Sequence, residues 1–363
     1  MMKKYFSYEF KKSLIPVLVL LVMATVITVI FTATANFAPR SWFNDWTGEM
    51  IYTIPPSRLS VPIILFAIMC FVVPMVVFSF KMNSRQIDSL YSMSIKRCKI
   101  YLVKAIIGLI AVFIAYTVSF WSMVIITAAM PNGFVFSGFV VAYFLSLPIG
   151  FGIFGFNAFV FSRANRVLDG VIFVIIYSTV LALLMVSINN IVATRVGGTI
   201  FGRWGDTSPL APNRWFVYSP IALLISRQEN IVVGSNFFSP ENLWVMYLFW
   251  GLVGAASWVG LILLLPREKS ENAEMISNSK FGYIVLLPLT IISAFLVSGL
   301  DSIPFRLILF SIIIVAGGLL YVVYKRSFKL KLADIIVFTG AVALGIGLSF
   351  LVSYLSNWGG LLF

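Results

Sequence analysis

The side chains that do chemistry are scarce in this chain, and the kinds that are missing narrow its function at once. There is no histidine among the 363 residues. That removes the commonest general base, the Ser-His-Asp arrangement and the paired-histidine helix of a zinc peptidase. No G-x-x-x-x-G-K-[ST] stretch occurs, so no glycine-rich loop is in place to cradle a nucleotide's phosphates. Acidic residues number 13. Of these, Asp169, Glu241, Asp301 and Asp334 fall at the ends of apolar runs, where carboxylates cap helices or mark an interface. Cys70 lies inside an apolar run and Cys98 in a basic loop, so no disulfide framework is expected. The expectation is a non-enzymatic chain with no catalytic residue, no metal site and no cofactor of its own.

The elements that hold these residues are set by composition. Hydrophobic residues make up 60% of the chain, charged residues only 11%, and the mean hydropathy is +1.01. A soluble domain carries about 25% charged residues to keep its surface wet, so this surface is expected to face lipid. The apolar residues fall into runs of about 20, the length a helix needs to cross about 30 Å of hydrocarbon. Unbroken runs exclude the period-two alternation of a membrane barrel. The fold class expected is all-α and polytopic, with about nine transmembrane helices near 14–35, 61–80, 102–130, 138–161, 170–192, 243–265, 282–299, 305–324 and 334–354.

The net charge of +13 suggests nucleic acid only until its placement is read. The cations cluster between apolar runs. The first group is Lys3, Lys4, Lys11 and Lys12; the second is Lys81, Arg85, Lys96, Arg97, Lys99 and Lys104. Arg163 and Arg166 follow, then Arg267, Lys269 and Lys280, and last Lys325, Arg326, Lys329 and Lys331. These clusters fall in alternate loops, which is the positive-inside pattern. A multi-pass protein of a bacterial-type plasma (inner) membrane with a cytoplasmic N-terminus is expected, and no nucleic-acid partner. Ala33-Thr34-Ala35 imitates a signal-peptidase site, but the preceding apolar run is longer than the usual ~7–15 residues and reads as a span.

Between the fifth and sixth spans lies a long segment, 193–242, expected outside. Its Pro209, Pro212, Pro220 and Pro240 surround Trp215, Phe216 and Tyr218, and a short apolar stretch follows from Ile221 to Ile225. It fits either a re-entrant helix or an ordered outer loop with headgroup-level aromatics. Trp215, Phe216, Tyr218 and Pro220 are its candidate gate residues. The most hydrophilic stretch, 266–281, reads as a cytoplasmic linker ahead of a C-terminal unit of three helices, 282–363. Asn157, Thr117, Ser119, Ser178, Thr179 and Ser293 are uncharged and sit at membrane depth. Interhelical hydrogen bonds, at about 1 kcal/mol each, are their expected role. Gly150, Gly152 and Gly155 in the fourth span, with Gly251, Gly254 and Gly260 in the sixth, allow helices to pack closely.

Two inner features exceed what topology alone needs. At helical spacing Phe6, Phe10 and Leu14 share one face while Lys4 and Lys11 fall elsewhere, and residues 1–13, with Phe6, Phe10, Lys11 and Lys12, are expected as an interfacial amphipathic helix at the bilayer surface. In the loop 81–104, Ile87, Leu90, Tyr91 and Ser94 follow helical spacing, and Asp88 is placed to pair with Arg85. Lys96-Arg97-Cys98-Lys99 then precede the next span. Ordered apolar positions ahead of the cations indicate a docking helix.

The pattern Arg85-x-x-Asp88-x-Leu90-Tyr91-Ser92-x-Ser94-Ile95-x-Arg97, followed by Lys104, resembles the first cytoplasmic loop of ABC-2 type exporter permeases, which commonly reads R…D.LYSLPIsR…K. Met93-Ser94 stand where that family often has Leu-Pro. The stretch YEFKKSL resembles the family's interfacial helix, and the order of parts agrees over about residues 1–265. The resemblance implies a six-span permease core, 14–265, in an ATP-driven ABC exporter that moves an amphiphilic substrate (a hydrophobic or cytolytic peptide, a lipid or a drug) by alternating access. It implies a separate ABC ATPase subunit holding ATP and Mg, and a second permease copy in a homodimer or heterodimer. Arg85, Asp88, Leu90, Tyr91, Ile95, Lys96 and Arg97 would be the main ATPase contact, with Arg163 and Arg166 secondary. An ion-coupled secondary transporter, or a non-transporting membrane sensor or immunity protein, are the competing readings.

Overall fold

A computed structural model of the chain describes residues 2–34, 40–44, 49–53, 57–92, 95–129, 136–196, 243–264, 281–298, 303–325, 328 and 331–358. Within these, the chain is helical except for one small hairpin. The first helix, α1, spans Met2–Thr34. Strands β1 (Arg40–Asn44) and β2 (Glu49–Thr53) follow, antiparallel, with Trp42 opposite Ile51. Then come α2 (Ser57–Phe78), a 3-10 turn (Ser79–Met82), α3 (Ser84–Tyr91), α4 (Arg97–Ala128), α5 (Phe136–Ser162) and α6 (Val167–Val196). The last four helices are α7 (Leu243–Leu264), α8 (Tyr283–Ser298), α9 (Ile303–Lys325) and α10 (Leu332–Trp358).

Seven of these helices, α1, α2, α4, α5, α6, α9 and α10, are long and apolar enough to cross a membrane. The chain is a multi-pass membrane protein. Nine such spans were expected; the other two apolar helices are α7, of which Leu248–Leu264 is the part fully described, and the 16-residue α8. At 1.5 Å per residue, the 16 residues of α8 extend only about 24 Å, less than a hydrocarbon core of about 30 Å. Helix is the outcome wherever apolar runs meet lipid, because only intrasegment bonding satisfies the backbone there. Prolines at 16, 62, 74, 148 and 288 are accommodated inside helices. The residues expected as an interfacial helix, 1–13, form the start of α1, which continues without a break into the first span.

The chain divides into two compact units. Among the described residues, the first unit takes those within 2–162 and 247–264, and the second those within 163–196, 243–246 and 281–358. Helix α6 packs with α8 and α10 in the second unit.

In the first unit α5 is central and α1 peripheral: 56% of the apolar window of α5 is buried against 11% for α1. Lipid is as apolar as leucine, so contact quality rather than hydrophobicity holds such helices together. Phe66 stacks on Tyr116 at 4.0 Å between ring centroids, and Phe120, Phe154 and Phe161 are fully buried. Tyr116 shares a hydrogen bond with Ser146 at 2.7 Å, Thr117 with Tyr143 at 2.7 Å, and Asn157 Nδ2 donates to the Cys70 carbonyl at 3.1 Å. The interhelical role expected of the neutral polar residues therefore holds at Thr117 and Asn157. It fails at Ser119, Thr179 and Ser293, which bond carbonyls three or four residues back in their own helices. A hydroxyl has that local acceptor always within reach. Helices α5 and α7 meet through glycine: a Cβ on Gly152 would lie 3.1 Å from the Trp250 carbonyl oxygen and 3.7 Å from the Gly254 Cα. Gly251, by contrast, has nothing within 4 Å of such a Cβ. Cys70 and Cys98 are both free thiols.

In the second unit the short helix α8 is enclosed by α6, α9 and α10. Tyr283 donates to Asp169 Oδ1 at 3.1 Å, Tyr177 to the Phe281 carbonyl at 2.9 Å, and Arg306 to Ser353 Oγ at 3.0 Å. Asp169 and Asp334 stand in the first turns of α6 and α10, where a carboxylate complements the helix dipole.

Candidate docking site at the turn between α2 and α4

The site begins where α2 stops. The 3-10 turn Ser79–Met82 buries Phe80, Lys81 and Met82. The Lys81 ammonium donates to the carbonyl of Ser162, at the last turn of α5. A lysine this deeply buried needs such an acceptor, since an isolated ammonium out of water costs several kcal/mol. Asn83 then leaves helical geometry (φ −114°, ψ 113°), and its side-chain oxygen accepts from the Arg85 amide at 3.1 Å. That is an N-cap, which starts α3.

Helix α3 has eight residues and two sides. Ile87 and Leu90, three apart, are buried, while Ser84, Arg85, Gln86, Asp88 and Ser89 are exposed. An isolated helix of this length is marginal in water, so the inner side must hold it. Three contacts do so at its C-terminal end. The Tyr91 hydroxyl meets that of Tyr101 at 2.6 Å, and Tyr101 is 1% exposed and packs on Phe78 and Phe80. The Arg97 guanidinium lies 4.2 Å from the centre of the Tyr91 ring, a cation–π contact. The Ser92 amide closes the last turn onto the Asp88 carbonyl at 3.0 Å. Ile95 is half-buried, and Lys96, Arg97 and Lys99 are exposed at the start of α4.

A second contact ties α1 to the same end. Tyr5 donates to Glu9 Oε1 at 3.1 Å, and Lys104 pairs with Glu9 Oε2 at 3.3 Å. The Lys104 ammonium also sits 4.7 Å from the Phe80 ring centre, so Phe80 is touched both by the support of α3 and by that of α1. Phe6 and Phe10 stack at 6.2 Å, and Lys11 and Lys12 are exposed beside them. The exposed surface at this end therefore carries Lys11, Lys12, Arg85, Lys96, Arg97 and Lys99 against Asp88. It is strongly basic and suits an acidic surface or lipid phosphate.

Of the residues singled out in sequence, Arg85, Asp88, Lys96 and Arg97 lie exposed on or beside α3. Leu90 is buried and Tyr91 half-buried, so these two anchor the helix. The Arg85–Asp88 pair does not form. Both partners are exposed, where pairing gains under about 1 kcal/mol. Arg163 and Arg166 belong to the second unit, in the turn before α6, with Arg163 buried and Arg166 half-buried. Trp215, Phe216, Tyr218 and Pro220 lie outside the described residues. Sequence reading missed Tyr5, Glu9 and Tyr101. A signal existed for Glu9, a lone carboxylate among Lys3, Lys4, Lys11 and Lys12.

Compared with known proteins, the chain matches no protein-family model, no curated protein sequence and no solved structure.

Proposed function

We propose that this protein is the membrane permease subunit of an ATP-driven exporter, with the exposed side of α3 as the surface on which a separate ATPase subunit docks. The observation that carries the reading is the two-sided build of α3. A loop that only connected α2 to α4 would need cations for orientation and nothing more. Here Ile87 and Leu90 are buried and Tyr91 is bonded to Tyr101, while Arg85, Gln86, Asp88 and Ser89 face outward. A push on the outward side passes into α2 through the 3-10 turn and into α4 through Tyr101 and Arg97.

In this reading the N-terminus is cytoplasmic, in a bacterial-type inner membrane. The partner ATPase holds ATP and Mg and supplies the energy, and a second permease copy completes the pathway. The cargo is an amphiphile, in keeping with helices whose depth is lined by phenylalanine, methionine and leucine. Arg85 and Arg97 make charge-assisted contacts to acidic groups of the ATPase, each worth about 1.5–3 kcal/mol when formed.

The test is purification of the chain from its native membrane with any ATPase bound to it, followed by reconstitution of the two. Arg85→Glu and Lys96→Glu, at exposed positions, should leave insertion and folding intact, weaken co-purification of the ATPase at least tenfold, and abolish cargo-stimulated ATP hydrolysis. If no ATPase co-purifies with the wild type, or cargo moves on an ion gradient without ATP, the reading is wrong.

A further inference from the structure

The first unit contains a cavity of about 420 Å³ between α1, α2 and α4. Its rim is polar, with Glu9 and Lys12 of α1, Gln86 of α3 and Lys104 of α4. Below the rim its walls are aliphatic, including Val17 and Leu20 of α1, Val77 of α2 and Ala111 of α4. From Lys12 to Leu20 along α1 the cavity descends about 12 Å at helical rise.

Three facts constrain its content. First, the cavity is open to one side, where Pro16, Val72 and Val76 of its lining are exposed, so an acyl chain can enter it from the surrounding lipid. Second, water is a poor filler: a volume of 420 Å³ would take roughly ten or more molecules, and the aliphatic walls offer them almost no partners. Third, the rim is cationic. Glu9 offsets Lys104 at 3.3 Å, which leaves the charge of exposed Lys12 uncompensated within the rim. The wall formed by α1 is one helix thick, and its outer residues Ile15, Val19 and Val22 are exposed, so lipid lies directly behind it.

We propose that this cavity binds an anionic glycerophospholipid from the surrounding leaflet. One acyl chain fills the aliphatic part between α1, α2 and α4. The phosphate rests at Lys12 and Gln86, beside the Glu9–Lys104 pair. Recognition needs both parts, since a free phosphate has nothing to fill the walls and a neutral headgroup gains nothing from Lys12. The proposal does not depend on the exporter reading, and its test requires no ATPase.

The full chain is purified in a neutral detergent and exposed in turn to phosphatidylglycerol, to phosphatidylcholine of identical acyl chains, and to inorganic phosphate. Retained lipid is counted by mass spectrometry of the intact protein. Wild type should retain one phosphatidylglycerol per chain in preference to phosphatidylcholine. Lys12→Gln, at an exposed position, should cut that preference about fivefold, equivalent to the ~1 kcal/mol a cation gains from an anionic lipid surface. Val17→Trp, which fills the upper cavity, should reduce retention of both lipids at unchanged helical content. Inorganic phosphate should displace neither. Equal retention of the two lipids by wild type would overturn the proposal, as would phosphatidylglycerol retention unmoved by both variants. Displacement by inorganic phosphate alone would also overturn it, by reducing the site to a surface anion contact.

Discussion

Removing the Glu9–Lys104 pair offers a direct measure of how firmly α1 is held to α4. The two charges stand 3.3 Å apart, with side chains 9% and 15% exposed. At an effective dielectric constant of 20, their Coulomb attraction is about 5 kcal/mol before desolvation is subtracted. Desolvation returns much of that, so the intact pair contributes little beyond fixing geometry. Breaking it is another matter, because the survivor is a buried charge with no counterion. Glu9→Gln should cost about 2–3 kcal/mol, part of it from weakening the bond that Tyr5 donates. Lys104→Met should cost about 3 kcal/mol by stranding a carboxylate that is 7% exposed. The double variant removes both charges and should cost about 3 kcal/mol rather than the sum, a coupling of about 2 kcal/mol. The assay is reversible unfolding in mixed micelles with increasing SDS, followed by tryptophan fluorescence. Single-variant losses that add to within about 0.5 kcal/mol in the double variant would show that the two charges do not act as a pair.

Two further outcomes follow from the packing. Gly254→Ala drives a Cβ into the backbone of Gly152 and should cost more than about 2 kcal/mol, while Gly251→Ala, one turn earlier with open space around it, should be neutral or stabilise by up to ~1 kcal/mol. The same unfolding titration checks both, and equal effects would contradict the close approach of α5 and α7. Tyr91→Phe removes the 2.6 Å bond between the Tyr91 and Tyr101 hydroxyls. Amide exchange over residues 84–91 should then accelerate about five- to thirtyfold, for a local loss of about 1–2 kcal/mol, with the midpoint of global unfolding little changed.

The spans were legible in sequence because lipid imposes one rule everywhere: an apolar run must be a helix to bond its own backbone. Helices α4 and α6 run beyond the expected 102–130 and 170–192, starting at Arg97 and Val167. Hydropathy marks only the hydrocarbon depth, and a helix continues through the headgroup layer wherever nothing breaks it. The spacing of Ile87 and Leu90 also carried through, because one short helix against a support is a local pattern. Long-range choices were not legible. Lys81 and Ser162 are 81 residues apart, and Glu9 and Lys104 are 95 apart. Nothing in either neighbourhood names its partner. The grouping of α6 with the C-terminal helices depends on contacts such as Tyr283 with Asp169, 114 residues apart, and is hidden for the same reason. The hairpin at Arg40–Thr53 has no alternating apolar pattern strong enough to announce it.

The bond from Lys81 to the Ser162 carbonyl makes the ends of α2 and α5 one mechanical part. Parting them would break a bond made by an ammonium that is 6% exposed, where water is slow to replace the lost acceptor. A displacement applied at α3 therefore reaches two helices at once: α2 as the crank, and α5, the most enclosed span of its unit, as the rod that follows. Shortening the side chain at position 81 by one methylene would introduce play into that linkage without altering any surface a partner can touch.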